Sequence, residues 1–474
     1  MSPAWYVKRY HYLAPPAHTS RTPSQVPTMS IQEVPTVEME AVTLSEDHQE
    51  PTAENTISST NGASTSKRTA DPADCLLLIS VKEGVPSMGL KKVKPAELSS
   101  SRANPNRRLI VAFGVDNCFT TMVRRDCTDF RAGVEKLLKK DDAQWLDLAR
   151  SVAVVVSGVF ETEEDTMSLE GVAQMITLKS MMDPLFGFDT TRRDLDGDIR
   201  TLASEINAQW LRSKGDFDSA SFALPEWQFK NQTQLREALK AVFPEKDVDV
   251  GSENPLNHLL PGYETMWRVV LRCFIELTAR GHDNATDWCK IMQEFVDQPT
   301  DAQLLHREPS GELTRTSASQ IAKETLRLYP PTRRVYREFE TTDGEVKTVS
   351  ADIETCHRTA EPWDLEPLRF MPERWDDKEN QPFEDAYFMP FAIKPFNCPA
   401  KRRVKPTEAE KAEGKPDYLP FAFAMISLLV GTLTRQTAGE WKIVGDVPDK
   451  SIPLKTEREA YDYLRLERVK KVQN

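Results

Sequence analysis

Apolar positions are spread unevenly along the chain, and their spacing divides it into stretches of different character. Up to residue 107 large apolar side chains are sparse. All twenty phenylalanines lie beyond that point, the first at Phe113, and runs such as 58–66 hold only small and polar residues. A segment of this kind buries too little to offset the entropy of ordering itself. Residues 1–107 are therefore expected to be a disordered, low-complexity region, with one short apolar patch at 75–81 able to pair or dock. From Arg108 onward the pattern changes. A short apolar run at 109–113 is followed by helical spacing over 129–156, carried by Phe130, Val134, Leu137, Leu138, Trp145, Leu146, Leu148 and Ala149. Further helices are predicted over 167–185, 194–210 and 233–242, separated by loops marked by Gly and Pro.

The helix predicted from Asn254 to about 280 differs from these. Asn254-Pro255 supplies an N-cap and a proline at the first helical position. Its middle is apolar on nearly every face, so it should run through the interior. Pro261-Gly262 interrupts its hydrogen-bond ladder just before Glu264-Thr265. Two readings stand open: a carboxylate and a hydroxyl at a break that holds water or a small ligand, or a proline kink with a capped polar pair. The next helix, 316–329, stops at Pro330-Pro331. Glu324 and Arg327 stand at i, i+3 and can pair. Ile321, Leu326, Leu328 and Tyr329 around them point to a partly buried helix, where such a pair is structural, because removing one partner strands a charge. Residues 334–340 and 346–353 alternate around 342–345, a β-hairpin pattern. A Pro- and Trp-rich meander follows and leads into 388–401.

In that last stretch Cys398 sits among proline, aromatic and small residues, and an apolar helix is predicted downstream at 421–433. Lys394, Lys401, Arg402 and Arg403 are sequence neighbours that would supply the positive potential a thiolate needs. Cys398 reads as a thiolate on a stiff loop under a flat apolar ligand, or as a buried, inert thiol.

Composition narrows the classes. The 474 residues carry a net charge of −12, with 39% hydrophobic and 28% charged residues, values of a soluble globular protein rather than of a nucleic-acid binder. Seven cysteines without a CxxC pair suit a reducing compartment. Neither HExxH, GxGxxG nor a P-loop occurs, so zinc, dinucleotide and P-loop readings have no support. The start does not read as a signal peptide, and no run reaches the length of a transmembrane anchor.

Four stretches occur in one order: Pro-Gly-Tyr-Glu-Thr at 261–265, Glu-Thr-Leu-Arg at 324–327 with Pro330-Pro331, Phe-Met-Pro-Glu-Arg-Trp at 370–375, and 391–400 around Cys398. Together they resemble the cytochrome P450 family, most closely its divergent fungal-type members, with the likeness covering 108–474. The resemblance implies a mainly α fold with a small β subdomain, truncated at its N-terminal side. It implies haem b (iron protoporphyrin IX) as cofactor, with Cys398 the axial ligand of the iron and Phe391 shielding the sulfur. Glu324, Arg327 and Arg374 would form a buried triad locking the meander. Glu264 and Thr265 would be the acid–alcohol pair that relays protons. Arg337, and Lys394 in place of the basic residue lost at Phe396, would meet the haem propionates. The activity implied is monooxygenation of a small organic substrate, with electrons from a separate NADPH-dependent reductase. The setting implied is a monomer in the cytoplasm or peripheral to the endoplasmic reticulum, in fungal secondary metabolism. Two other readings remain, a degenerate helical protein without this activity and a haem-thiolate isomerase or peroxygenase. The sequence departs from the family pattern in several places. Lys394 stands where a residue without Cβ is expected in a tight turn. Phe396 and Ala400 replace a basic residue and a glycine. A polar insert at 402–417 follows the cysteine. The first sheet strands are not evident before Arg108.

Overall fold

The computed structural model describes residues 67–81, 83–214, 228–305, 316–359, 363, 366–376, 386–401, 408, 411 and 418–470. The expectation of disorder over 1–66 lies outside these residues, as does most of the insert at 402–417. Over 67–107 that expectation is overturned. This stretch forms β1 (Lys67–Thr69), α1 (Pro72–Ser80) and α2 (Leu98–Ala103). Asp71 caps α1 by accepting from the Asp74 amide. Cys75, Leu78, Ile79, Val81, Val85, Met88, Leu90 and Val93 are all buried. They share a core with Val335, Phe339, Val349, Ala351, Met389 and Phe396. The missing first strand is also present: β1 pairs in parallel with β4 (Val346–Asp352), Lys67 opposite Val349. Aliphatic side chains set among Pro and Ser hid this lobe from a reading that weighted aromatics.

The chain continues through α3 (Arg107–Phe113), α4 (Arg124–Leu138), α5 (Asp142–Phe160), β2 (Thr166–Ser168), α6 (Leu169–Phe186), α7 (Asp196–Arg212) and α8 (Thr233–Val242). The predicted interior helix is α9 (Leu256–Leu259), a single π-turn over Leu260–Glu264, and α10 (Thr265–Thr278). The Asn254 side chain accepts from the Leu256 amide at its start. Pro261 has no amide proton to give the regular ladder, and the wider turn absorbs that loss. After α11 (Ala285–Asp297) and α12 (Asp301–Leu305) come α13 (Ala318–Leu328), the hairpin β3 (Arg334–Glu340) and β4, and α14 (Ile353–His357). The chain closes with α15 (Phe421–Thr437), β5 (Trp441–Val444) and β6 (Arg465–Arg468). One sheet has the order β1-β4-β3 and the other β2-β6-β5.

Thus the fold is mainly helical with two small sheets. α5, α6, α10, α13 and α15 bury their apolar faces against one another in the larger core. α11 and α15 approach closely at Gly431, where an added Cβ would lie 2.3 Å from the Met292 carbonyl oxygen. Among the described helices only α5 is long and apolar enough to cross a membrane, and half of its apolar window is buried against the rest of the fold.

Candidate functional site

Two cores meet beneath the loop that carries Cys398. Phe391 belongs to the larger core, stacking edge-on against Phe388 and against Phe423 of α15, 5.5 Å between centroids for the latter. Met389 and Phe396 plug into the smaller one. The backbone ties the loop shut: the Cys398 amide donates to the Phe391 carbonyl at 2.8 Å, and Phe396 to Ile393 at 2.9 Å. The left-handed residue is Ala392, with φ 52°. The strain expected at Lys394 is absent, because its φ is not positive and its side chain is exposed. A short 3-10 turn, Pro399–Lys401, follows the cysteine.

Burial raises the Cys398 thiol, opposed by a hydrogen bond from the Ala400 backbone and by the charge of Arg131. The balancing cation comes from α4 across the fold, whereas Lys394 points to solvent, Lys401 lies over the Phe388 ring, and Arg402 and Arg403 lie outside the described residues. Arg131 donates to the Pro395 carbonyl at 2.7 Å and to Asn397 Oδ1 at 3.0 Å. Arg102 and Arg337 both lie over the Phe396 ring, 4.3 and 5.2 Å from its centroid. Arg337 is buried, and desolvation together with Arg102 pulls it down to about 9.

Behind the loop, Glu324 gathers the meander. Its Oε1 accepts from Arg327 Nη2 at 2.9 Å, Arg374 Nε at 2.9 Å and the Met371 amide at 2.9 Å. Oε2 accepts from Arg327 Nε at 2.8 Å and Trp375 Nε1 at 3.1 Å. Burial pushes the carboxyl up, but Arg327, Arg374 and these hydrogen bonds outweigh it and leave it below its ordinary value. The two arginines direct their remaining donors to carbonyls of His357, Pro367 and Arg369 and of Trp363, Glu366 and Arg369. So Glu324, Arg327 and Arg374 are brought together.

His357 was missed in the sequence, where a lone histidine at a helix end carries no signal. Its Nε2 accepts from the Met389 amide at 3.0 Å, so the proton sits on Nδ1, which faces the Arg327 carbonyl at 3.1 Å. The ring thereby bridges α13 to the cysteine loop. Burial, then Arg327, pulls its pKa down to about 3, so it is neutral.

On α10 the structure separates what the sequence sets side by side. The Thr265 hydroxyl donates to the Pro261 carbonyl at 2.8 Å. Glu264 instead forms an ion pair with Arg458, which stands on the loop between β5 and β6. That loop is braced to α10: Arg268 donates to Pro331 and Thr456 carbonyls, and Arg272 to those of Lys455 and Glu457. His258, Pro261, Gly262 and Thr265 keep partial solvent access on an otherwise buried segment.

The segment from α13 through the cysteine loop is similar to the cytochrome P450 family. The cytochrome P450 family model matches residues 318–401, from α13 through the cysteine loop. Among curated relatives, cytochrome P450 3A17 of Cavia porcellus is 28% identical over 167 residues, 32% of this chain and 30% of that protein. Cytochrome P450 3A14 of Cavia porcellus is 35% identical over 86 residues, 16% of this chain and 17% of that protein. The chain thus spans under a third of the length of these relatives. Among solved structures, a six-coordinated cytochrome P450 of Thermus thermophilus aligns over 85% of this chain and 92% of its own, at 14% identity and a TM-score of 0.49. CYP175A1, from another strain of the same bacterium, aligns over 79% and 87%, at 15% and 0.49.

The charges around the loop suit the group this family carries. Arg102, Arg131 and Arg337 meet no carboxylate among the described residues, and Arg131 Nε and Arg337 Nε are buried without a hydrogen-bond partner. Arg102 donates to Cys127 Sγ at 3.1 Å, whereas a buried guanidinium without an anion, such as Arg337, is costly. The two propionates of a haem would supply the missing charge, and one thiol on a tied loop is a fitting donor for its iron.

Proposed function

We propose that the chain is a haem-thiolate monooxygenase that inserts one oxygen atom into a small organic substrate. The observation that carries the reading is the pairing of one constrained thiol, Cys398, with three arginines that meet no carboxylate. Cys398 would ligate the iron, Phe391 would cover the sulfur from the side of α15, and Arg102, Arg131 and Arg337 would hold the propionates. Lys394, exposed at the rim, is assigned only the outer side of that charge. Bound haem supplies the redox chemistry, its thiolate ligand favouring cleavage of the O–O bond. The chain's own part is placement and proton supply. Thr265 Oγ1 sits where the π-turn loosens the helix, and it can exchange its bond to the Pro261 carbonyl for one to a bound group. Glu264, ion-paired with Arg458, stands one residue away and would have to leave that arginine to pass a proton to the hydroxyl. Electrons would come from a separate NADPH-dependent reductase, to a monomer in the cytoplasm or at the endoplasmic reticulum surface.

The test is the visible spectrum of the purified chain, reduced and exposed to carbon monoxide. A thiolate-type Soret shift that Cys398→Ser abolishes supports the reading, and a shift that survives the substitution overturns the ligand assignment. One observation favours the alternative of a degenerate helical protein: Glu264 is sequestered by Arg458. A chain that stays colourless after haem supplementation would decide for that alternative. Unchanged coupling of reductant to product in Thr265→Ala would move the reading to a haem-thiolate isomerase or peroxygenase.

A further inference from the structure

The far side of the π-turn holds a second concentration of positive charge, which is unexpected in a chain of net charge −12. It is built on Trp210 near the end of α7. The guanidiniums of Arg108 and Arg458 each lie 4.7 Å from the centre of the indole, and the Lys214 ammonium lies 6.0 Å from it. Arg108 donates to Ser213 Oγ at 2.6 Å, a neutral partner. Arg458 is the ion-pair partner of Glu264. Among the described residues neither Arg108 nor Lys214 meets a carboxylate. Trp210 Nε1, Tyr263 Oη and Arg458 Nε are buried with no acceptor or donor opposite them.

Three cations share one ring, and burial lowers the pKa of each. Burial, then Arg458, Arg268 and Arg108, pulls Lys214 down to about 7. Burial pulls Arg108 down to about 10 and Arg458 to about 9. The other carboxyl in reach, Glu170, is itself pushed up to about 7 by burial and so supplies only partial charge. Nothing in the local packing requires this: Arg268 and Arg272, one and two turns further along α10, show how the same fold satisfies a buried arginine with backbone carbonyls. Arg108 and Lys214 are not satisfied in that way. Arg108 is enclosed on most sides yet keeps some access to solvent, and Lys214 is exposed beside it.

We propose that this cluster is the binding site for the carboxylate of a small organic acid, gripped by Arg108 and Lys214. Arg458 stays on Glu264 and closes the site on that side. Trp210 holds the guanidiniums in place by cation–π attraction and offers its Nε1 to the bound oxygen. That the acid is the substrate rests on the monooxygenase reading; that it binds does not.

The test is calorimetric titration of the full chain with 2-naphthoate and with decanoate, each against its uncharged primary amide. Each acid is expected to bind at least about tenfold more tightly than its amide, the difference one charge-assisted hydrogen bond makes. Arg108→Gln and Lys214→Gln should each remove most of that preference and leave the amide affinity where it was, while Arg108→Lys retains part of it. Melting curves of the variants show that the fold is kept. Equal affinity for acid and amide, no binding of either acid, or an unaltered preference in both glutamine variants would overturn the site. The carbon monoxide spectrum separates the two claims: an acid preference in a chain that binds no haem leaves the anion site standing and removes the monooxygenase, and the reverse result does the opposite.

Discussion

Glu324→Gln replaces one carboxylate oxygen by an NH2 group and tests the whole bracket behind the cysteine loop. The carboxylate is fully buried and carries the negative charge between two buried guanidiniums. An amide can keep the oxygen that serves Arg327 Nη2, Arg374 Nε and the Met371 amide. Its NH2 must then face Arg327 Nε and Trp375 Nε1, donor against donor. One charged and one neutral hydrogen bond are lost, about 1.5–3 and about 1 kcal/mol. Breaking a buried pair from one side costs about 3–5 kcal/mol by a separate route, and the two agree. A domain's entire stability is about 5–15 kcal/mol, so roughly a fifth of it or more is at stake. Equilibrium unfolding in urea, followed by far-ultraviolet circular dichroism, measures the loss. Glu366→Gln is the control, since its pair with Arg369 is exposed and such pairs contribute about 0–1 kcal/mol. A loss below about 1 kcal/mol in Glu324→Gln would show that the carbonyls around the two arginines hold the meander without the carboxylate. Because the Glu324 carboxyl lies below its ordinary value, its contribution is full at neutral pH and is lost as pH falls through that lowered value.

Three further outcomes are expected. His357 is held neutral down to about 3, so the unfolded chain binds its proton first. Stability should be flat above the ordinary histidine pKa and then fall by about 1.4 kcal/mol per pH unit toward 3; a His357→Gln chain with the same slope in that window would refute this. Gly431→Ala puts a Cβ 2.3 Å from the Met292 carbonyl oxygen. The α11–α15 contact must open at a cost of about 1–3 kcal/mol, less up to about 1 kcal/mol of helix propensity, and an unchanged or higher melting temperature would count against the packing. In the haem-free chain, Arg131→Gln removes the cation that opposes burial at Cys398. The pH profile of Cys398 alkylation, read by peptide mass spectrometry, should move upward, and an unmoved profile would assign that role elsewhere.

The sequence showed the interior helix, its interruption at Pro261, the α13 pair and the hairpin, because each is written in local spacing: an N-cap before proline, i, i+3 charges, alternation about a turn. It showed Glu324, Arg327 and Arg374 only through a motif, since nothing local says that Arg374 folds back onto α13. It failed where partners come from afar. Arg131 and Arg102 reach the cysteine loop from α4 and α2, and His357 joins two segments through backbone atoms that have no side-chain signature. Glu264 and Thr265 are adjacent in the chain, yet they face different neighbours because successive helical residues point about 100° apart. The ordered lobe over 67–107 was obscured because its core is aliphatic and is shared with β3, β4 and the cysteine loop.

A π-turn is one residue more than a straight helix needs. Dropping a single residue between Pro261 and Tyr263 would let the ladder close, and the price would fall on rotation. Everything after it would turn by about 100° relative to everything before. Arg268 and Arg272 would swing off the carbonyls of Pro331, Lys455, Thr456 and Glu457 while Leu256 and Leu259 kept their seats in the larger core. The extra residue is thus a phase setter: one half of the rod is timed to the helices beside it, the other half to the C-terminal loop.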